Sequence, residues 1–389
     1  MTADLWAPRE EFEPDHEAFR EAVRTFVSRH VAPNVEAWDD AGLVPREVWL
    51  EAGRQGFLGI GLAEEYGGGG TEDFRFRMVL IEELNKVAAA SMAAGFAVHC
   101  DIVIPYLADL CTPEQAKRWL PDCATGEAIG AIAMTEPGAG SDLQGVRTAA
   151  RRDGADWILS GSKTFITNGV HGDLVIVVAR TDPDAGSRGF SLFVVERDMP
   201  GFTRGRKLGK IGLHGQDTAE LSFDEVRVPA DNLLGEPDAG FRYLMERLPL
   251  ERLTIAVNAC AAARAALAWT LEYTTGRTAF GKRVADFQNS SFALAECVTE
   301  LDVGQVFVEA CVRRWNNRTL DAVTAAKAKL WCTQMHKRVV DECLQLFGGY
   351  GYMSEYPIAR AYTDARVTTI FGGTSEIMKV IIARDLIGR

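Results

Sequence analysis

The sequence predicts an α+β multidomain fold: an N-terminal helical domain (residues 1–128), a middle antiparallel β sandwich or barrel (129–235) and a C-terminal helical bundle (236–389). Three features point to it. Apolar residues recur at helical spacing up to about residue 128. After Glu127 the texture changes to short β-branched and aromatic runs separated by Gly, Asp and Ser. From Gly240 onward long helical patterns return with few breakers. A chain of 389 residues with 47% hydrophobic content can bury more than one core.

In the first domain Phe19, Val23, Phe26 and Val27 share one face of a helix over 15–30, and Val31 extends it. Further turns of helix fit 45–52 and 75–86, where Val79, Leu80, Leu84 and Val87 repeat on one side. Between them Gly67-Gly68-Gly69-Gly70 reads as a flexible loop and not a phosphate loop, because no Gly-Lys-Ser/Thr follows. Thr112-Pro113-Glu114-Gln115 combines a capping Thr, Pro at the first helical position and Gln three residues on, which starts another helix.

Candidate strands are 128–134, 146–152, 157–160, 163–167, 174–179, 190–196 and 220–223. Their close spacing without intervening helices is what suggests an antiparallel sandwich or barrel. The later helical patterns cover 240–275, 286–317, 321–347 and 374–387 and suit an antiparallel bundle.

A net charge of −12 argues against a nucleic-acid surface, which needs clustered Lys and Arg. The segment Met1 to Glu10 lacks a basic start and an apolar core, so neither a secretory signal nor a transit peptide is expected. No apolar run is expected to span a bilayer. The cysteines stand singly at 100, 111, 123, 260, 297, 311, 332 and 343, with no metal-ligand spacing; they read as reduced packing thiols of a cytoplasmic protein without a metal. There is no G-x-G-x-x-G between strand and helix and no H-E-x-x-H. Gly138 to Asp142 only superficially resembles a nucleophile elbow, since Leu143 stands where the second Gly is needed. The basic residues Arg204, Arg206, Lys207 and Lys210 read first as a solvated charge run and second as a contact for a ligand's phosphates.

The stretch around which the chain is organised is Ala133 to Asp142. It follows a strand end, Pro137 fixes one φ, and Gly138 and Gly140 permit a sharp turn. Its free N–H groups and the Thr135 and Ser141 hydroxyls can bind the edge of a flat heterocycle or a phosphate oxygen. Met134-Thr135-Glu136-Pro137-Gly138-Ala139-Gly140-Ser141-Asp142 resembles the flavin-binding signature of the acyl-CoA dehydrogenase family. Further motifs in family order carry the resemblance along essentially the whole chain.

The resemblance implies FAD held by Met134, Thr135 and Ser141. In Lys163-Thr164-Phe165-Ile166-Thr167-Asn168-Gly169 it implies a ring, Phe165, over the isoalloxazine, where many relatives have Trp, and Thr167 near N5. Arg277 and Phe280 in Arg277-Thr278-Ala279-Phe280-Gly281-Lys282, with Gln288, resemble a segment that reaches a neighbouring subunit's ADP moiety. Gln345, Gly348 and Gly349 resemble its partner segment, and Thr374 and Glu376 match residues near the cofactor's phosphates and ribose. Read from the residues alone, Arg277 is equally a helix-end cation and Gly348-Gly349 a helix stop.

One branch of the family places its catalytic Glu immediately before a Gly-Thr pair, where this chain has Gly372. In the branch of long-chain and isovaleryl-CoA dehydrogenases the Glu lies on an earlier helix before an Arg, as in Leu248-Pro249-Leu250-Glu251-Arg252-Leu253. The resemblance therefore implies Glu251 as base, with Ser141, Arg252, Gly372 and Gly373 at the substrate. It also implies oxidation of a medium- to long-chain acyl-CoA to the trans-2-enoyl-CoA, by α-proton abstraction and β-hydride transfer to flavin N5. Electrons pass to an electron-transfer flavoprotein, in a homotetramer. The helical stretch 91–107, with the small residues Ala93, Ala94 and Gly95, is expected to line the far end of the acyl chain. Alternatives are a related flavoenzyme using oxygen or acting on branched or carrier-protein thioesters, and a non-catalytic acyl-CoA-binding subunit; Glu251 argues against the last.

Overall fold

The computed structural model describes residues 4–7 and 9–388; Met1, Thr2, Ala3 and Pro8 of the amino-terminal segment read above lie outside them, as does Arg389. The first half of the chain forms α1 (Pro14–Phe26), α2 (Val35–Ala41), α3 (Arg46–Arg54), α4 (Phe74–Lys86), α5 (Ala90–Ala97), α6 (Ile104–Leu110) and α7 (Pro113–Thr125). The helix expected over 15–30 is two pieces, because Val27–Val31 is a π-helical turn. A second π turn, Val98–Val103, joins α5 to α6. α7 starts as its sequence requires: Gln115 donates its backbone N–H to Thr112 Oγ1, and Thr112 N–H donates to Gln115 Oε1. The Gln115 amide also donates to the carbonyls of Asp231 and Leu233, both at 2.8 Å, so the cap ties the helices to the sheet.

The tetraglycine is not the flexible loop expected. The Gly69 N–H donates to Gly59 O and that of Gly70 to Leu62 O. A β-carbon on Gly68 would fall 2.0 Å from Leu62 O. Glycine is there because two backbones touch.

The strands are β1 (Gly130–Ala133), β2 (Ala149–Asp153), β3 (Asp156–Thr167), β4 (Leu174–Arg180), β5 (Phe190–Glu196), β6 (Phe202–Lys207), β7 (Thr218–Val228) and β8 (Leu233–Leu234). They form one sheet in the order β6-β7-β3-β2-β4-β5-β8, with β1 on β4. Most pairs are antiparallel; β1 with β4, and the short β2–β4 contact, are parallel. The runs expected at 157–160 and 163–167 are one strand. The basic run at 204–210 is largely strand β6, missed because charge masks its register: Lys207 Nζ donates to Gly42 O at 2.7 Å and Lys210 to Gln216 O, so these cations are tied down and not merely solvated.

β4 reads as a continuous apolar run because both sheet faces are covered. Leu174, Ile176 and Val178 pack with Tyr106, Leu107 and Trp119, while Val175, Val177 and Ala179 pack with Trp157 and Phe223.

The C-terminal part holds α8 (Gly240–Gly276), the small hairpin β9 (Thr278–Ala279) and β10 (Lys282–Arg283), α9 (Gln288–Asn316), α10 (Ala322–Phe347), α11 (Pro357–Ala365) and α12 (Ser375–Leu386). Its core runs through Leu253, Val257, Cys260, Leu301, Val308, Met335 and Val339. The eight cysteines are free thiols, all buried except the half-buried Cys111. Ala90–Leu110 and Gly240–Gly276 are long and apolar enough to cross a membrane, which corrects the expectation that no run reaches that length. Both are mostly buried within the fold, as core helices are.

Candidate active site

Glu251 lies about three turns into α8, 4% exposed. Burial raises its carboxyl to about 7, against the opposing pull of Arg252 and a 3.4 Å hydrogen bond from the Tyr106 hydroxyl. Arg252 is equally buried, and burial lowers its pKa while Glu251 raises it. Lys329, from α10, is 1% exposed and pushed down to about 8 by burial, with Arg252 acting in the same direction. Its ammonium donates to Thr368 O at 3.1 Å and Gly373 O at 2.7 Å. It thereby ties α10 to the loop that carries Gly372 and Gly373. Gly372 faces Ile255, four residues after Glu251. The carboxyl, the Gly372-Gly373 loop and two buried cations thus meet at one wall.

The 134–142 loop is locked to β3. Lys163 Nζ, itself 1% exposed, donates to Met134 O (3.0 Å) and Glu136 Oε1 (2.9 Å); Glu136 also accepts from the N–H groups of Arg147 and Thr148, and Thr164 N–H donates to Thr135 O. Burial works against the Glu136 charge, but these hydrogen bonds prevail and hold its pKa below the usual carboxylate value. Between Lys163 and Ile166 the β3–β7 register slips, and at this bulge Phe165 adopts φ +60° with its ring 68% exposed. A bulky residue held left-handed and outward at a bulge stores strain, and such strain clusters at ligand sites. Asn168 anchors the strand's end to Gly95 O and Gly130 O, each at 3.0 Å, and Thr167 precedes it, half-buried.

A second group assembles at the end of α8 and α10. Arg277, Gln345, Gly348 and Gly349 line one open cleft of about 690 Å³, with Tyr273, Ser290 and Tyr350. Gly348 has φ +58° and ψ −136°, a conformation effectively reserved for glycine. Neither the 134–142 loop nor Phe165 lines this cleft. Gln288 is exposed at the start of α9, Phe280 is 97% exposed on the hairpin, Thr374 caps α12 and Glu376 is exposed in its first turn. Ser141 is exposed on the first loop.

These residues fit a flavin dinucleotide. At Gly138, Gly140, Gly348 and Gly349 an added β-carbon would meet nothing of the chain within 4 Å, so glycine there leaves room for something outside the polypeptide. A planar exposed ring and a cationic cleft suit an isoalloxazine and a pyrophosphate respectively. Sequence reasoning missed Tyr106, Lys163, Asn168 and Lys329 as site supports. The signal at Lys329 was a lone Lys on an otherwise apolar helical face of Ala325, Ala328 and Cys332.

The expectation for 91–107 is corrected in part. Ala93 packs in the N-terminal core, and a β-carbon on Gly95 would meet Asn168 Oδ1 at 3.1 Å and the Trp49 ring at 3.3 Å; Ala94 alone of the three lines a cavity.

A helical–sheet–helical protein with this buried carboxyl and these cradles is a flavin-dependent oxidoreductase. Three family models cover nearly all of the chain: the N-terminal domain of acyl-CoA dehydrogenase matches residues 13–127, the middle domain 131–226 and the C-terminal domain 238–387. The chain belongs to the acyl-CoA dehydrogenase family. It is 50% identical over 378 residues to the mitochondrial long-chain specific acyl-CoA dehydrogenase of Sus scrofa, spanning 97% of this chain and 87% of that one. An acyl-CoA dehydrogenase structure from Geobacillus kaustophilus superposes with a TM-score of 0.95 at 50% identity, over 97% of this chain and 100% of the other. A glutaryl-CoA dehydrogenase from Mycobacterium smegmatis, in complex with FADH2, superposes with a TM-score of 0.92 at 32% identity, over 99% and 97% of the two chains.

Proposed function

We propose that the protein oxidises medium- to long-chain acyl-CoA to trans-2-enoyl-CoA, with Glu251 as the base. The observation that carries this reading is a buried carboxyl, raised to about 7, on the wall formed with Gly372 and Gly373. An α-proton beside a thioester is a weak acid, so a base whose own pKa is raised toward neutrality is the useful one. Oε of Glu251 takes that proton, and burial makes the ion a stronger base than a solvated carboxylate. Arg252 offsets the Glu251 charge before transfer, and Lys329 fixes the loop that positions the thioester. FAD, when bound, supplies the acceptor for the β-hydrogen as hydride. Met134, Thr135, Ser141, Phe165 and Thr167 would hold its ring end, with Thr374 and Glu376 toward its phosphates and ribose.

The separate cleft of Arg277, Gln345, Gly348 and Gly349, with Phe280 and Gln288, supports a cofactor site completed between subunits, in a homotetramer. Exposed apolar residues at Phe292, Val303, Val306, Leu386 and Ile387 give the helices faces to bury. The electron acceptor in this reading is an electron-transfer flavoprotein. The test is anaerobic bleaching of the purified yellow protein by acyl-CoAs from C4 to C16. Fast bleaching by the longer chains that persists in air supports a dehydrogenase; reoxidation by air indicates an oxidase, and no bleaching overturns the reading.

A further inference from the structure

A cavity of about 40 Å³ lies between α5, α8, α10 and the segment around residues 361–371. Ala94, Asn258, Ala262, His336, Asp364 and Thr368 are among its walls. On α8, Asn258 and Ala262 continue the stripe of Glu251 and Ile255 at helical spacing, so the cavity opens roughly 10 Å along the helix from the carboxyl. Its wall residue Phe371 adjoins Gly372, which abuts Ile255. The cavity therefore lies where the far part of an acyl chain held at Glu251 would arrive.

The lining is mostly apolar, through Ala88, Ala90, Ala94, Ala262, Trp269 and Phe371, but a buried imidazole interrupts it. His336 is 3% exposed, and among the described residues neither ring nitrogen has a hydrogen-bond partner. Burial pushes its pKa down to about 4, so the ring is neutral and offers one N–H donor and one bare acceptor nitrogen. Asn85 donates to Asn258 Oδ1 at 3.0 Å, and the Asp364 carboxyl, which accepts from the Leu213 N–H, is raised by burial to about 7. Methylenes can lie along the Ala94 and Ala262 side, but a methyl end set against His336 leaves both imidazole nitrogens unpaired, and an unpaired buried polar group is costly. A hydroxyl can donate to the bare nitrogen or accept from the ring N–H, so it pairs one of the two. The volume holds about three waters at 10–15 Å³ each, or a carbon with its hydroxyl.

We propose that this cavity is the distal part of the acyl site and takes an oxygen-bearing chain, a hydroxyacyl thioester, with His336 as the residue that selects it. The inference rests on the acyl-thioester reading above.

The experiment compares dodecanoyl-CoA with 10-hydroxy- and 12-hydroxydodecanoyl-CoA on the FAD-loaded enzyme, by kcat/KM and, independently of turnover, by calorimetric Kd. For wild type, at least one hydroxyacyl thioester is expected to be favoured by roughly tenfold in both measures, and His336→Leu to reverse the order. A wild-type ratio at or below one overturns the proposal, as does a ratio unchanged in His336→Leu; either result means that only water fills the cavity. The wild-type ratio decides alone if His336→Leu does not fold, and His336→Gln, which keeps a donor and an acceptor, should retain part of the preference. Failure of dodecanoyl-CoA itself to turn over would count against the enzymatic reading, whereas turnover without hydroxyl preference counts only against this cavity's role.

Discussion

A β-carbon on Gly372 would stand 2.4 Å from Cδ1 of Ile255, one turn beyond Glu251 on α8. Gly372 also sits at φ +59°, where an L side chain is strained. The wall is thus built for a carboxylate delivered from α8 and for nothing at 372. The Ile255 methyl can move, so the backbone supplies most of the cost. Gly372→Ala should lose about 1–2 kcal/mol of stability in urea unfolding. Adding Ile255→Ala should not restore the backbone part. A Gly372→Ala protein as stable as wild type would contradict this account of the wall.

Glu251→Gln should retain FAD yet lose turnover by roughly 10² or more, since the variant cannot accept the α-proton. In the wild type the rate should climb with pH through about 7 as the carboxyl ionises. Near wild-type flavin reduction by Glu251→Gln would move the search for the base to Glu376.

The same carboxyl destabilises the fold. Its pKa in the folded state lies above the ordinary 4.5, so the folded state binds the proton more tightly, and stability declines as pH rises from about 4.5 to 7. The full ionisation cost is of order 3 kcal/mol. Glu251→Gln should therefore be more stable than wild type at pH 8 and no more stable at pH 4, read from Tm at both pH values. An equal Tm difference at the two values would show that the carboxyl is not desolvated.

The elements were legible where one pattern decided them. The Thr112–Gln115 box gave α7 its start, and the apolar runs of β4 and β5 marked central strands. Legibility failed where a local pattern served a contact made elsewhere. Gly67 to Gly70 looks like slack chain because the backbone it touches, at Gly59 and Leu62, is not visible in the pattern. β6 is hidden by cations that bind carbonyls of α2's end and of the 216 turn. At the site, the motif around Glu251 marked it as the candidate base. Lys163 and Lys329 were not legible, because a buried Lys is marked only by the carbonyls and carboxylate it reaches, and those are distant in sequence.

Lys163 is the post on which the first loop hangs. Lys163→Met leaves Glu136 buried with only two N–H donors, and removing one partner of a buried pair costs about 3–5 kcal/mol. The loss should reach Phe165, two residues on, whose left-handed conformation depends on the bulge. Expected are a lower Tm and an FAD dissociation constant raised at least tenfold, measured by flavin fluorescence. A lower Tm with unchanged FAD affinity would mean that the pair supports the sheet but not the site.

Chain-length selection should respond to Ala94 and not to Gly95, although the two are adjacent. Ala94 borders the cavity that continues the α8 stripe beyond Ile255, so Ala94→Leu fills space that a long chain would use. Each methylene excluded forfeits about 0.8 kcal/mol of binding, so the loss should grow with chain length and vanish for the shortest substrates. Gly95 faces Trp49 and Asn168, and Asn168 in turn holds Gly95 O and Gly130 O. Gly95→Leu must push the Trp49 ring or break that amide bridge, so it should lower Tm and reduce kcat/KM by a similar factor at every length. Profiles from C4 to C16 for both variants distinguish the two effects. A uniform loss in Ala94→Leu, or a selective loss of the longest chains in Gly95→Leu, would remove the cavity from the acyl path.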